Sequence, residues 1–176
     1  MDFAHDTVAS MIAAVELVNS AEPPDTLTEI AELDAFFARH AYTGAHARDA
    51  GELAAVRDLR APLRRLLTSD RETAVGLVNE ILAEHHALPQ LVRHGDVDYH
   101  IHAVAPDAPL PVRIAVETAM AMIDLIRADE LSRLSLCADK GCAGIVFDTS
   151  RNRSRRYCST ACGNRNAVAA YRARKK

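Results

Sequence analysis

All four cysteines of this 176-residue chain, Cys137, Cys142, Cys158 and Cys162, fall in its last 40 residues. A segment of that size seldom holds a fold with a hydrophobic core alone, so it needs a staple. The spacing Cys-x4-Cys-x15-Cys-x3-Cys gives two close pairs separated by enough chain for a hairpin, which suits one tetrahedral ion. Zinc takes thiolates at about 2.3 Å, and a close pair lets a backbone turn aim two sulfurs at one point with little loop-closure cost. No histidine follows residue 136, so a site made within the segment is all-cysteine. Four thiolates leave no open position for water, which disfavours a catalytic zinc. The alternatives are two disulfides or four free thiols. Compartment weighs against disulfides: the start, Met1-Asp2-Phe3-Ala4-His5-Asp6, lacks a basic region followed by an apolar core. No stretch free of charged residues approaches the ~18 needed to cross a membrane. A cytoplasmic protein with one Zn2+ per chain is therefore expected.

Charge divides the chain at the same place. Residues 1–136 carry 11 Arg, no Lys and 22 Asp or Glu, net −11; residues 137–176 carry 10 Lys or Arg against Asp139 and Asp148, net +8. The overall −3 conceals an acidic body joined to a basic tail. With 49% hydrophobic and 26% charged residues, disordered and collagen-like chains are excluded. Two domains are expected, an acidic one over 1–134 and a basic one over 135–176, with zinc required to fold the second but not the first.

The first 88 residues have helical periodicity. Val8, Met11, Ile12, Val15 and Val18 mark an apolar face behind Asp6. Thr26-x-x-Glu29, Asp49-x-x-Glu52 and Ser69-x-x-Glu72 read as helix starts, and Pro62 as an interruption. Val75, Val78, Ile81 and Leu82 are expected to face inward from the last of these. Val97, Tyr99, Ile101 and Ala103 then alternate with Asp98, His100 and His102, as in a half-buried strand, with Gly95-Asp96 turning back to Leu91-Val92. From Pro111 a long helix is predicted to end near Leu134 and deliver the chain to Cys137 as a stiff connector. The fold class is α+β: a mainly helical N-terminal domain with a small β-hairpin, followed by a treble-clef-like four-cysteine finger. In the finger, Ile145-Val146-Phe147 is β-prone, Asp148-Thr149-Ser150 turn-prone, and Ser159 a good N-cap for a helix bearing the last ligand.

Phe147-Asp148-x-Ser150-x-Asn152-x-Ser154-Arg155-Arg156-Tyr157-Cys158-Ser159, then Cys162-Gly163-Asn164-Arg165 and Tyr171-Arg172-Ala173-Arg174, resembles the CGNR zinc finger family over nearly all of the last 40 residues. Val15-Glu16-Leu17-Val18-Asn19-Ser20 resembles a segment near the start of such proteins. Two departures are Tyr157, where the family often has Trp, and Cys158-x3-Cys162, one residue shorter than the common form. The resemblance implies a bacterial protein with an N-terminal ABATE domain, of a kind regarded as stress-induced transcription regulators whose finger binds DNA.

The residues support that function independently. On the last helix Arg165, Ala169, Arg172 and Lys176 form one stripe, opposite an expected inward stripe of Ala161, Val168 and Tyr171. Arg151, Arg153 and Arg155 alternate as on one strand face. Such rows suit nucleic-acid phosphates, since backbone neutralisation dominates affinity. The candidate DNA contacts are Arg151, Arg153, Arg155, Arg156, Asn164, Arg165, Arg172, Arg174, Lys175 and Lys176. Arg156 and Arg165, beside the cysteines, are the ones expected to be diverted toward the thiolates. Duplex DNA is favoured over RNA because no base-stacking platform is evident. A homodimer through the N-terminal domain, and a small-molecule or protein signal sensed by it, complete the expected partners.

Two other classes remain open. A zinc-stapled protein-interaction module without DNA binding would account for the cysteines. A metal-dependent enzyme would need a second site, for which His100-x-His102 with Glu84-His85-His86 is the candidate, though the bland reading is a polar strand face and a helix end.

Overall fold

The computed structural model describes residues 3–94 and 97–175; the expected Gly95-Asp96 turn and Lys176 lie outside the described residues. In chain order come α1 (His5–Asn19), α2 (Ile30–Arg39), α3 (Ala50–Asp58), α4 (Arg60–Thr68) and α5 (Arg71–Glu84). The strands β1 (Gln90–His94) and β2 (Val97–His102) follow, then α6 (Leu110–Arg127), a 3-10 turn (Leu131–Arg133), β3 (Leu134–Leu136), β4 (Ile145–Phe147) and α7 (Thr160–Arg174). The architecture is mixed, with a mainly helical N-terminal region and two small hairpins.

Helix α6 is the central rod, burying Leu110, Ile114, Val116, Ala119, Met122 and Leu125 among others, and packing on α1, α5 and α3. Helix α1 meets it with Met11, Ala13, Ala14, Leu17 and Val18. The inward face of α1 is thus rotated from the expected one, with Ala13 and Ala14 buried and Ile12 exposed.

Helix starts follow local hydrogen bonding. Asp49 caps α3 as expected, its carboxylate accepting from the Glu52 N–H at 2.8 Å. For α5 the cap is Asp70, accepting from the Thr73 N–H, one residue after the predicted Ser69. Helix α2 begins three residues later than the Thr26-x-x-Glu29 reading, because Glu32 accepts from the N–H groups of Thr28 and Glu29 while Asp25 holds Leu27 in a turn. The break near Pro62 falls at Leu59, with Pro62 in the first turn of α4, where a missing N–H costs little. In α5, Ala74 and Val78 are buried while Val75 is exposed.

Helix α6 stops at Arg127, not near Leu134. Asp129 adopts a left-handed backbone (φ 57°), and the N–H groups of Glu130 and Asp129 close on the carbonyls of Leu125 and Ile126, a Schellman ending. The chain that was expected to continue as a helical connector instead turns back as β3.

Two antiparallel hairpins result. In the first, Leu91 pairs with Ile101 and Val92 with His100. Of its expected apolar face Ala103 is buried, but Tyr99 is 66% exposed and Ile101 42%, as is Leu91 opposite at 71%, since the helices pack their apolar stripes on one another. In the second, Leu134 pairs with Phe147 and Leu136 with Ile145. Successive β4 side chains point to opposite faces. Ile145 and Phe147 join the helical core, while Val146 packs with Cys137 and Cys162. One short strand is therefore a wall of both cores.

Candidate metal centre and basic helix

The residue after β3 is Cys137, held by its N–H donating to the Gly144 carbonyl at 2.8 Å. Cys142 sits in a turn closed by its own N–H on the Asp139 carbonyl. Cys158 ends the loop after β4, and Cys162 lies in the first turn of α7, where its N–H donates to the Ser159 hydroxyl that caps the helix. The four Sγ atoms all lie within 4.8 Å of one another, with Cys142 to Cys158 at 3.5 Å and Cys158 to Cys162 at 3.8 Å. A tetrahedron with bonds of about 2.3 Å has sulfur–sulfur edges near 3.8 Å, so the donor set fits one zinc ion. Convergence of all four sulfurs on one point is unlike two separate disulfides, and none of the four is disulfide-bonded.

Donors surround the cluster as thiolates require. The Gly144 N–H points at the Cys142 sulfur at 3.3 Å, the Cys158 N–H at that of Cys137 at 3.5 Å, and the Arg165 guanidinium at that of Cys162 at 3.1 Å. Gly144 has no room for a side chain: a Cβ there would stand 2.9 Å from the Cys158 sulfur. Burial, with the crowding of the other thiols, pushes the Cys158 thiol up. Burial also raises Cys142, whereas at Cys137 the N–H groups of Cys158 and Asp139 outweigh burial and hold the thiol down. Metal binding must displace the protons that remain.

Beyond the Cys162 contact expected from the sequence, Arg165 also grips Asp139, Nε at 2.9 Å and Nη2 at 2.6 Å, and so braces the finger. Arg156 differs: its carbonyl accepts from the Ala138 N–H, but its side chain is exposed and makes no bond among the described residues. The other acid of the basic segment, Asp148, accepts from the N–H groups of Ser150 and Arg155, while buried Arg133 donates to the carbonyls of Asp148 and Ser150. Both carboxylates were counted in the sequence only as charge. In the fold both are buried and structural, and their isolation in a basic segment was the available signal.

The stretch 148–158 is a clamped turn, not the strand arm expected for Arg151, Arg153 and Arg155. Arg153 has φ 49° and pairs with Glu130 and the Ser132 hydroxyl. Arg155 turns to the carbonyls of Tyr157 and Cys158. Arg151, Arg156, Arg172 and Arg174 are exposed and meet no carboxylate among the described residues; Lys175 lies over the Tyr171 ring at 4.8 Å. Asn164 is exposed, and Asn166 bonds back to the Cys162 carbonyl.

Helix α7 also departs from expectation. Cys162 is its only buried residue, every residue from Ala167 to Lys175 is exposed, and the supposed inward pair Val168 and Tyr171 is 47% and 52% exposed. Bolted at its first turn to the cysteine cluster, the helix stands out from the molecule.

Of the histidines, His100 and His102 do converge, their Nε2 atoms 2.9 Å apart, with the His100 Nδ1 at 2.8 Å from the Asp98 carbonyl. His85 and His86 line a different cavity, which His102 also borders. Among the described residues, the cysteines are the group that brings three or more metal-ligating side chains together.

A treble-clef-like hairpin and helix around four cysteines, fused to a helical domain, defines a zinc-finger protein. Residues 133–175 match the model of the CGNR zinc finger. Residues 13–129 match the ABATE model, described as "Putative stress-induced transcription regulator", and the chain belongs to that family. Neither is an enzyme family. A search of curated proteins finds no match. Among the described residues no helix is long and apolar enough to cross a membrane.

Proposed function

We propose that this chain is a cytoplasmic, non-catalytic transcription regulator that binds duplex DNA through its zinc-organised finger, while the N-terminal domain receives a signal or mediates assembly. The observation that carries the reading is α7, which projects with both faces in solvent and bears Asn164, Arg172 and Arg174, with Lys175 at its end. A helix about 10–12 Å across fits a major groove about 12 Å wide. Fifteen residues are marginal as a lone helix in water, so a partner that covers this one would stabilise it.

A second reading follows from Val168 and Tyr171 on the same helix, which give a protein partner an apolar anchor. The two are separated by titrating a labelled duplex with zinc-loaded protein and with Cys158→Ser. DNA binding predicts affinity at low salt for the first and loss of both zinc and affinity in the second. No duplex binding at low salt, or binding indifferent to zinc, would favour the interaction module.

A further inference from the structure

A cavity of about 530 Å³ opens between the N-terminal half of α1, the loop after α2, β2 and the middle of α6. That volume lies in the usual range for small-molecule sites, about 300–1,000 Å³. Its apolar side is made by Ala9, Ala13 and Ile101, the alanines leaving room that larger residues on α1 would fill. Tyr42 and Tyr99 also line it.

Its charge is one-sided. Asp6, Asp98 and Glu117 line it, with four histidines, and no Lys or Arg does. Some of the polar groups already have partners. Asp6 accepts from the N–H groups of Thr7 and Ile101, His40 bonds Glu16, and His100 is held between the Asp98 carbonyl and His102. Of the two lining carboxylates that make no hydrogen bond among the described residues, Asp98 is exposed and Glu117 is not. Its neighbour Arg113 directs its guanidinium to the carbonyls of Thr43, Ala45 and Ala108 instead. Burial raises the Glu117 carboxyl to about 7, more than the charge of Arg113 lowers it. A mostly buried acid facing an apolar cavity is a site for a donor that arrives with its own positive charge. A metal ion suits the walls less well, because no three ligating side chains among them converge.

We propose that this cavity binds a small organic cation, a protonated amine on an apolar body, with Glu117 as its counter-ion and the tyrosine rings flanking the charge. This deepens the sensory role proposed for the N-terminal domain and rests on it. Binding is read without DNA, so failure here and failure of DNA binding are separate results.

The experiment is an amide-resolved NMR titration of the zinc-loaded full chain. The probes are 2-phenylethylamine, its neutral counterpart 2-phenylethanol and the anion 3-phenylpropanoate. The amine should shift the amides of Ala13, Thr43 and Ile101 saturably and more tightly than the alcohol, with no response to the anion. Glu117→Gln should weaken the amine about tenfold or more, the worth of a charged hydrogen bond, and leave the alcohol unchanged. Ala9→Leu, which keeps the acid and fills the space, should abolish both. Unchanged zinc content and thermal unfolding establish that each variant is folded. Equal binding of amine and alcohol, preference for the anion, indifference to Glu117→Gln, or no shift at these amides with any probe would each overturn the proposal. So would a second equivalent of Zn2+ taken up by the wild-type chain and lost in His100→Ala.

Discussion

Asn19 uses both halves of its amide on one residue of the finger. Its Nδ2 donates to the Ile145 carbonyl at 2.8 Å and its Oδ1 accepts the Ile145 N–H at 2.6 Å, so a side chain on α1 stands in for a neighbouring strand. Asn19→Ala leaves that pair unsatisfied next to the core, at about 1–3 kcal/mol for each group. Urea unfolding of the zinc-loaded variant should show a lower midpoint with an unchanged slope; an unchanged midpoint would mean that the clip carries no stability. At Gly144 the prediction concerns metal. Gly144→Ala puts a methyl against the Cys158 sulfur, so chelator competition should show weakened zinc affinity while the helical circular dichroism of the body persists. Glu117 sets a pH dependence. Its folded pKa of about 7 lies above the ordinary 4.5, so the folded state holds the proton longer than the unfolded chain does. Stability from this group is intact below about pH 4.5 and falls as pH rises to 7, by a few kcal/mol. Glu117→Gln should flatten that fall between pH 5 and 8. The cysteines, the Asp49 cap and the contact of Arg165 with a cysteine sulfur were legible in the sequence because each is a local pattern. Glu117 and Asn19 were not, since their importance comes from what the fold brings to them across more than 50 residues of chain.

At the scale of elements, the helices were readable from period and capping, but the ends that fix the finger were not. A Schellman ending normally calls for glycine, and here Asp129 takes the left-handed position, so nothing in the sequence marked where α6 stops. The strand β4 reads as β-prone, yet its division between two cores depends on packing. Helix α7 shows the opposite failure: an amphipathic pattern suggested an inward stripe, whereas Val168 and Tyr171 stay about half exposed. A helix held only in its first two turns, through Cys162 and Arg165, should exchange its later amides readily. Hydrogen exchange should find residues 168–174 weakly protected in the free protein and protected on a duplex. Deleting residues 168–176 should abolish DNA binding and leave zinc content and body stability unchanged. A loss of stability would mean that the helix packs on the fold after all. Helix α1 joins the two proposed sites, lining the cavity with Ala9 and Ala13 and gripping Ile145 with Asn19 at its other end.

For the whole molecule, the acidic body and basic finger invite an electrostatic account in which body carboxylates hold the finger back from DNA. The contacts assign a different basis to their association. Among the described Lys and Arg residues of the basic segment, Arg153 alone pairs with a body carboxylate, Glu130. The union otherwise rests on Ile145 and Phe147 in the common core, the Asn19 clip, and Glu22 with Arg64 bonding the two sides of the Ala143 peptide. Removing zinc should therefore lower the stability of the body as well as unfold the finger, contrary to the expectation of independent folding. An excised fragment of residues 130–176 should lose structure by exposing that face. If the body unfolds identically with and without metal, the shared-wall account fails. The most direct measurement of the central claim is the salt dependence of duplex affinity for the zinc-loaded full chain. Arg151, Arg156, Arg172, Arg174 and Lys175 are the exposed cations of the finger proposed to meet phosphates. About five neutralised phosphates predict that log affinity falls against log salt with a slope of roughly −4 to −5, reduced by about one in Arg172→Ala. A flat salt response, or a slope that Arg172→Ala leaves untouched, would contradict it.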